Sequence, residues 1–461
     1  MRTVTEVHNC LWVMLNDEYS CSGNRILASL SGPLSVVRCL LSNMKSRLFP
    51  FIAFLFILCS TRLSGAEADS LALALSARID SVILNQAALL EQTQLGLYVY
   101  DLTADTALYA CGQHQRLRPA STQKLFTAVT ALHDLGGDYC FTTSLTPFYD
   151  TLRTEGAPDS LRVSRIVVRG GMDPCFGAND MRAFVKTIRL LCPDGTRPVI
   201  DYDITFKDTI PLGWGWCWDD DNPSLSPLLY GGKPRFAENM ERMLADTTLR
   251  AGTDTTLTRL TSILTVLQRM MKQSDNQYAE SLFYQLGRTS SAAASRVSKF
   301  VTSLGIPSSS FTVADGSGLS LYNYTTPEAL VALLRYAWQH PVIYRQLQPT
   351  LPLAGHDGTL RKRMTSGPAH CNVMAKTGTV TGVSTLAGYA LAANGHMLAF
   401  AIMNQGVRRA ADGHTFQDAV CQALCAPVYH STTVPEKTTE DTSGDPLPYP
   451  AEADDTLPVV Q

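Results

Sequence analysis

The amino-acid sequence predicts an α/β protein in which helices flank an antiparallel sheet and an accessory domain is inserted into the chain. Three observations predict this fold class. A helical pattern of apolar residues follows Pro119. An Asn394-Gly395 pair separates two apolar runs, which is a strong signal for a β-hairpin. Between these features, residues 142–253 alternate short strand patterns with turns. The 461 residues are enough for more than one packed core.

The elements before the insertion are predicted in chain order. Residues 66–90 have the mixed polar and apolar pattern of a helix, and residues 95–100 with 106–109 have the pattern of a hairpin. The segment 119–132 then has proline at its entrance, apolar residues at helical spacing and a glycine pair after its end. We therefore expect one helix, one hairpin and a second helix before the insertion.

The elements after the insertion complete the predicted sheet. Residues 372–379 have a strand pattern, and a second strand follows a turn near Gly382. The hairpin centred on Asn394-Gly395 adds a third strand, and a helix near 414–425 closes the sheet. The segment 372–379 is thereby predicted to border the sheet.

Three short strings occur in order and far apart: S-T-Q-K at 121–124, S-D-N at 274–276 and K-T-G at 376–378. Ser121 and Lys124 are three helical positions apart, so their side chains share one face, with Cβ atoms about 5–6 Å apart. A serine is a weak nucleophile until a base takes its proton, and a lysine can do so when burial lowers its pKa. Alone, each string also fits a helix surface pair, a plain N-cap or an edge-strand lysine. Together they indicate a serine acyl-transfer site.

With these strings, the chain resembles the D-alanyl-D-alanine carboxypeptidase/endopeptidase family, the low-molecular-mass class C penicillin-binding proteins. The resemblance runs from about residue 70 to 426 and includes further segments: G-G-M-D-P at 170–174, G-W-G-W at 213–216, D-G-S-G-L-S at 315–320 and A-G-H-D-G-T-L at 354–360. It implies the transpeptidase fold that penicillin-binding proteins share with serine β-lactamases. It also implies a serine-type D-Ala-D-Ala carboxypeptidase, extending to D,D-endopeptidase activity, that acts on peptidoglycan stem peptides and binds β-lactam antibiotics covalently.

The same resemblance implies five catalytic residues. Ser121 would be the acylated nucleophile, and Lys124 would accept its proton. Ser274 would relay a proton to the leaving amine, and Asn276 would bind the substrate amide. Lys376 would complete the set by holding the terminal carboxylate of the substrate.

Four further residues are implied to bind substrate. Thr377 would hold the terminal carboxylate together with the preceding lysine. Gly378 would allow close approach of the substrate backbone, and the backbone N–H groups of the nucleophile and of Thr379 would form the oxyanion hole. Asp173 would face the amine of a diamino acid in the stem peptide. The alternative for Asp173 is a turn residue that caps its own backbone.

Other functions are weighed against the peptidase. A serine β-lactamase shares all three strings, and a catalytically silent wall-binding module could retain them. With a net charge of −3, the chain lacks the strongly basic surface that nucleic-acid-binding proteins use. The sequence has no His-Glu-x-x-His string and no Cys-x-x-Cys pair, so it predicts neither a metal nor another cofactor. It makes no prediction of an oligomeric state. The tryptophans of the insertion favour packing over ligand stacking.

The N-terminal region predicts export to the periplasm. A basic stretch followed by an apolar run has the features of a secretory signal peptide over residues 44–66. The run is too short for a membrane span. Because a leader normally begins a chain, residues 1–43 are interpreted as an added extension ahead of a start at Met44. Cys59 is a weaker candidate for lipidation.

The remaining sequence divides into three predicted parts. Residues 67–141 and 254–427 would form the catalytic domain, and residues 142–253 would form the inserted accessory domain. Residues 428–461 are rich in proline and acidic residues, which predicts a disordered tail. The cysteines that follow the leader permit disulfides in an oxidising compartment without selecting a pairing, and free buried thiols are the alternative.

Overall fold

The structure is a computed structural model that describes residues 73–153, 159–193, 195–203 and 213–427. The predicted extension, the signal peptide, Cys59 and the acidic tail lie outside the described residues.

Eleven helices and nine strands of the described part are used below. The strands are β1 (Gln94–Asp101), β2 (Thr106–Cys111), β3 (Cys140–Leu152), β4 (Ser160–Arg169), β5 (Val199–Asp203), β6 (Thr258–Ser262), β7 (Met374–Val380), β8 (Val383–Leu391) and β9 (Met397–Gln405). The helices are α1 (73–85), α2 (Ala87–Leu90), α3 (Lys124–Asp134), α4 (Ala178–Leu191), α5 (Phe236–Ala245), α6 (Ile263–Lys272), α7 (Asn276–Gln285), α8 (Ser290–Ser303), α9 (Pro327–Gln339), α10 (Pro341–Leu347) and α11 (Ala410–Cys425).

The main sheet has five antiparallel strands in the order β2-β1-β9-β8-β7. The two predicted hairpins are confirmed, and Gly395 takes the left-handed φ of +85° at the β8–β9 turn. Strand β7 lies at the edge, as its sequence predicts. The predicted α/β class, an antiparallel sheet flanked by helices, is therefore confirmed.

Both faces of the main sheet are covered, because its central strands alternate between two apolar clusters. Phe400 and Ile402 of β9 belong to a cluster shared with α11, whereas Ala401 and Met403 belong to a cluster shared with helices α3 and α6–α10. Side chains on a strand point alternately to its two faces, so this period of two places helices on both sides. Eight of the nine residues of β8 are buried as a result.

A second sheet of four strands has the order β5-β4-β3-β6 and packs against α4 and α5 around its own apolar cluster. Strands β3 and β4 are antiparallel, and β4 and β5 are parallel. The pairing of Cys140 with Ser262 extends this sheet beyond both ends of the predicted insertion, 142–253. Strand β6 leads directly into helix α6, and strand β3 follows shortly after the end of α3. The second sheet is thus connected at both of these strands to helices of the main core.

Two structural features are absent from the described residues. Among them no helix combines the length and apolar character needed to cross a membrane. Within the same ranges no group of three or more histidine, cysteine, aspartate or glutamate side chains is arranged to hold a metal ion.

Candidate active site

The three strings meet at one place because three different elements present them. The first string begins in a 3-10 turn, Ala120–Gln123, that leads directly into α3. The second occupies the turn before α7, where Asp275 is the N-cap and accepts a hydrogen bond from the Tyr278 N–H. The third lies on the edge strand β7, which packs against the 3-10 turn. Tertiary packing thereby joins residues that are more than 100 positions apart in sequence.

The amine of Lys124 is the centre of the site. Its Nζ atom lies 2.9 Å from Ser121 Oγ, 2.7 Å from Asn276 Oδ1 and 2.7 Å from the carbonyl oxygen of Ser317. A lysine ammonium has three donors, and these three acceptors use all of them. The side chain is fully buried. Lys124 is therefore held in one position, within proton-transfer distance of a serine hydroxyl.

Burial also changes the acidity of this amine. Removal from water disfavours the charged form and lowers the pKa of Lys124 to about 8, although the nearby carboxylates of Asp315, Glu280 and Asp275 act in the opposite direction. An amine with this pKa is neutral in an appreciable fraction of molecules near neutral pH. It can then accept a proton from the serine.

A second buried amine faces the second string. Lys376 Nζ lies 2.9 Å from Ser274 Oγ and 2.6 Å from the carbonyl oxygen of Thr377. Burial and the positive charge of Lys124 hold the pKa of Lys376 well below its usual range. The two serine hydroxyls of the site, Ser121 and Ser274, are thus each hydrogen-bonded to a buried lysine.

Two residues of the site have strained backbones. Ala120, directly before the nucleophile, has φ of +46°, and Ser274 has φ of +59°. Residues with a side chain rarely adopt this left-handed region, and such strain costs of order 1–3 kcal/mol unless the surroundings enforce it. Both positions are held by packing from other elements, and both lie next to groups that carry the proposed chemistry.

Gly378 allows β7 to lie against the 3-10 turn. A Cβ atom at this position would lie 2.2 Å from Thr385 Oγ1, 2.7 Å from the Pro119 carbonyl oxygen and 2.9 Å from the Ser121 nitrogen. The first two of these atoms cannot easily move aside, because Thr385 Oγ1 donates a hydrogen bond to the Pro119 carbonyl oxygen at 2.7 Å. Only glycine fits, and its lack of a side chain lets strand β7 lie against the backbone N–H of Ser121.

The rim of the site carries three threonine hydroxyls and one imidazole. The Thr377 hydroxyl donates to Thr359 Oγ1 at 2.7 Å, and Thr379 Oγ1 lies 3.5 Å from His414 Nε2. Burial and the nearby Arg363 guanidinium lower the pKa of His414. A neutral imidazole at this rim adds no charge beside the threonine hydroxyls.

Two buried carboxyl groups support the site, and sequence reasoning assigned no role to either. Glu280 accepts hydrogen bonds from the backbone N–H groups of Gly316 (3.1 Å) and Ser317 (2.8 Å). Asp315 accepts from the N–H groups of Gly318 (2.8 Å) and Ser320 (2.7 Å). These bonds fix the loop whose Ser317 carbonyl oxygen receives the Lys124 amine.

The signal for Glu280 was present in the sequence. It is the one charged residue in the run 278–284 of α7, Tyr-Ala-Glu-Ser-Leu-Phe-Tyr, all of which is buried in the structure. A carboxyl group in such a run needs a partner inside the protein. Burial and the neighbouring Asp315 raise the pKa of Glu280 to about 8, whereas its hydrogen bonds lower it.

Asp173 lies apart from the two lysines. Only 1% of its surface is exposed, and its carboxylate accepts hydrogen bonds from the Cys175 N–H at 2.9 Å and from the Thr261 hydroxyl at 2.5 Å. Burial raises the pKa of this carboxyl group. Met172 before it has a left-handed φ of +56°. This geometry favours the alternative that Asp173 caps its own backbone, whereas the other eight predicted site residues, the two lysines included, lie on or directly beside the three strings.

A cavity of about 560 Å³ opens beside the second string. It lies between the start of α7 and the loop residues 174–177, 221–223 and 231–233, and Asn276 forms part of its wall together with Tyr278, Arg269, Lys233 and Cys175. The volume is in the range that accommodates a small peptide or drug-sized ligand. A substrate held by the Asn276 amide would therefore have space for a side chain beside it.

The eight described cysteines form no disulfide. Cys421 and Cys425 are buried in α11, and burial raises the pKa of both thiols. Cys175 donates to the Tyr278 hydroxyl. None of these thiols contacts a buried lysine of the site.

Comparison with known proteins gives a family match over most of the chain. The model of the D-Ala-D-Ala carboxypeptidase 3 (S13) family matches residues 75–228 and 246–426. These ranges include all three strings and both buried lysines.

Individual relatives agree with this match. The chain is 26% identical to a D-alanyl-D-alanine carboxypeptidase of Actinomadura sp. over 71% of this chain and 80% of that protein. It is 37% identical to the D-alanyl-D-alanine carboxypeptidase DacB of Haemophilus influenzae, over 29% of this chain and only 30% of that protein. The crystal structure of penicillin binding protein 4 (dacB) from Haemophilus influenzae superposes with a TM-score of 0.63 at 20% identity, covering 75% of this chain and 98% of that one. The last comparison shows a shared fold.

Proposed function

Since the chain belongs to the D-Ala-D-Ala carboxypeptidase 3 (S13) family, we propose that it hydrolyses the terminal D-Ala-D-Ala bond of peptidoglycan stem peptides through an acyl-enzyme on Ser121. One observation carries the proposal above all others. The buried Lys124 amine lies 2.9 Å from the Ser121 hydroxyl and 2.7 Å from the Asn276 side chain, so a base, a nucleophile and an amide-binding group meet at one point.

In the acylation step, neutral Lys124 takes the hydroxyl proton as Ser121 Oγ attacks the carbonyl carbon of the penultimate D-alanine. The tetrahedral intermediate collapses when the C–N bond breaks. The proton passes from Lys124 through the Ser274 hydroxyl to the leaving nitrogen, and free D-alanine departs. Water then attacks the ester carbon as the same base takes its proton. The ester C–O bond breaks, the base returns the proton to Ser121 Oγ, and the shortened peptide is released.

The proposed charge stabilisation comes from two sides. The backbone N–H groups of Ser121 and Thr379 would bind the oxyanion, and such donors contribute two to three orders of magnitude in rate. The close packing at Gly378 supports this assignment, because it brings the two chain segments together. Lys376 and the Thr377 hydroxyl would bind the terminal carboxylate, which an internal peptide bond lacks.

We also propose that β-lactam antibiotics acylate Ser121, since they present a reactive carbonyl and a carboxylate to the same groups. Labelling with a fluorescent penicillin tests this. Lasting label that disappears in the Ser121→Ala variant is expected for the peptidase. Rapid turnover of the penicillin would instead identify a β-lactamase, and the absence of label together with absent hydrolysis would identify a silent wall-binding module.

Defined muropeptides test the substrate. We expect release of free D-alanine from a stem pentapeptide ending in D-Ala-D-Ala, and none from the Ser121→Ala variant. A cross-linked dimer, incubated in parallel, measures the D,D-endopeptidase activity that we propose as a second activity of the same site. Failure to release D-alanine from a pentapeptide by protein that labels with penicillin would contradict the carboxypeptidase assignment.

The place of action is proposed to be the periplasm, with residues 44–66 as a cleaved signal peptide. The basic stretch and apolar run in the sequence support this, as does a substrate that lies outside the cytoplasmic membrane. N-terminal sequencing of the protein isolated from the periplasmic fraction is expected to begin close to residue 67. Recovery of protein that retains this segment in the cytoplasm would contradict it. We further propose that residues 142–253 are an accessory domain of the enzyme.

A further inference from the structure

Two aromatic side chains form an exposed pair on the outer side of the loop that holds the catalytic lysine. Trp214 is 53% exposed and Tyr322 is 48% exposed, and their ring centroids lie 4.8 Å apart. Single exposed apolar side chains are ordinary on a protein surface, whereas contiguous exposed apolar surface marks interaction sites, so the contact between the two rings is the informative feature. Neither ring has a role in the acyl-transfer chemistry.

The pair is fixed by the backbone around it. Ser320 Oγ donates to the Trp214 carbonyl oxygen at 2.6 Å, and the Leu321 N–H donates to the Gly215 carbonyl oxygen at 3.1 Å. Gly215 has φ of +78°, and a Cβ atom there would lie 2.4 Å from the Tyr322 ring. The two segments are therefore held together by hydrogen bonds and packing. A ligand that stacks on the rings would thus cost the protein little conformational entropy.

The same segment is connected to the proposed site. The next indole, Trp216, points inward and donates from Nε1 to Asp315 Oδ2 at 2.9 Å. Asp315 shapes the loop whose Ser317 carbonyl oxygen receives the Lys124 amine. From Ser317 to Tyr322 is five residues, so the two are separated by no more than about 18 Å, the reach of an extended chain.

A stem peptide has a matching length. Its scissile bond lies four residues from the end that is attached through a lactyl group to an amino sugar, and four extended residues span about 14 Å. A stem peptide that lies along the loop from Ser317 to Tyr322 would therefore bring its sugar to the aromatic pair. A pyranose ring has one face of C–H groups that can cover an aromatic ring, while its hydroxyls remain in water.

A protein partner fits this surface less well. Each aromatic side chain offers at most about 150–250 Å² for burial, whereas a stable protein interface needs about 800 Å² on each side. Two rings are enough for one sugar.

We propose that Trp214 and Tyr322 form a stacking platform for the amino sugar that carries the stem peptide, so that the enzyme prefers stem peptides attached to glycan over free peptides. This inference rests on the proposed carboxypeptidase function. It assigns the recognition of glycan to side chains outside the acyl-transfer site.

The test compares two substrates with one peptide sequence: a disaccharide pentapeptide and the same pentapeptide without sugar. Release of D-alanine gives kcat/KM for each. The full chain is expected to prefer the sugar-bearing substrate by roughly five- to tenfold, the gain from covering about one ring face. Trp214→Ala and Tyr322→Ala are each expected to reduce this ratio towards one, and Trp214→Phe, which keeps a ring, is expected to retain most of it.

The matched control is Tyr149→Ala, which removes a similarly exposed aromatic ring (51%) from the second sheet and should leave the ratio unchanged. Fluorescent penicillin labelling verifies that each variant is folded. Equal kcat/KM values for the two substrates in the unmodified enzyme would overturn the inference while leaving the peptidase in place, as would a ratio that persists in both alanine variants. Hydrolysis of neither substrate would overturn the proposed function itself.

Discussion

The buried amines of Lys124 and Lys376 lie in one site, and the charge of the first lowers the pKa of the second. Each amine is hydrogen-bonded to a different serine, at 2.9 Å in both cases. Because two like charges in a buried site repel strongly, the pair favours the loss of one proton in the absence of substrate. Binding of a substrate carboxylate beside Lys376 would compensate its charge. The arrangement thereby couples carboxylate binding to the presence of a free base beside Ser121.

Replacing Lys124 by alanine tests the base directly. We expect Lys124→Ala to slow acylation by fluorescent penicillin by roughly a hundred- to ten-thousandfold, the usual contribution of a positioned general base. The thermal unfolding temperature, measured in parallel, shows that the loss is chemical. Lys362→Ala, an exposed lysine outside the site, is the control and should acylate normally. Acylation of Lys124→Ala at the original rate would assign the base to another group.

The pH dependence of acylation follows from the lowered pKa of Lys124. The neutral amine is the proposed base, so the rate should rise with pH and level off above about 8. Well below that pH the rate should fall about tenfold per pH unit, because the neutral fraction does. Stopped-flow labelling between pH 6 and 9 measures the profile. A rate that is constant across this range would contradict the assignment of Lys124.

Glu280 should shift that profile. Its carboxylate, which forms as the pH approaches about 8, favours the charged form of Lys124. Glu280→Gln is therefore expected to lower the pKa of the lysine and to move the upper part of the rising limb towards acid pH. The glutamine oxygen can still accept the Ser317 N–H, which preserves the loop. If the rising part of the pH profile keeps its position and the acylation rate falls equally at every pH, Glu280 acts solely by holding the loop.

The sequence was sufficient for the elements that carry the site. The helix after Pro119, the hairpin at Asn394-Gly395 and the edge strand containing Lys376 depend on local pattern and turn chemistry. These signals act over a few residues, and the structure has all three. The family identified from the strings is confirmed by the match over residues 75–228 and 246–426.

Other features depend on distant residues and leave no local signal. The left-handed φ of Ala120 follows from its packing against the loop at Gly318, whose own Cβ would lie 1.8 Å from the Ala120 carbonyl oxygen. The orientation of Asp173 is set by Thr261, which is 88 residues away. Asp315 was noticed as part of a motif, but the sequence could not show that its carboxylate would fold the loop beneath Lys124.

Gly378 should be intolerant of even one methyl group. In Gly378→Ala the new Cβ would overlap Thr385 Oγ1 and the Pro119 carbonyl oxygen. Relief of this overlap must move β7 away from the 3-10 turn that contains Ser121. We expect a stability loss of about 1–3 kcal/mol in urea unfolding and a fall in acylation rate of a hundredfold or more. Gly395→Ala is the control, since no atom lies within 4 Å of its Cβ position. That variant should lose stability from its positive φ and acylate normally, and a Gly378→Ala enzyme with full activity would contradict the tight packing.

Thr377 should distinguish substrates by their C-terminal group. Its hydroxyl donates to Thr359 Oγ1, and rotation of the hydroxyl would aim the same proton at a substrate carboxylate. Thr377→Val keeps the shape and removes that donor. A hydrogen bond to a charged group contributes about 1.5–3 kcal/mol, so kcat/KM for a peptide ending in D-Ala-D-Ala should fall roughly ten- to a hundredfold.

The matched substrate is the same peptide with a C-terminal carboxamide, which has no charge to lose. Thr377→Val should reduce its kcat/KM far less, so the preference for carboxylate over carboxamide narrows. Thr359→Val separates binding from positioning: it removes the neighbour of Thr377 and leaves the donor itself, so the preference should survive. An equal loss on both peptides in Thr377→Val would mean that the threonine supports the strand and does not read the carboxylate, and the selectivity for chain ends would then belong to Lys376 alone.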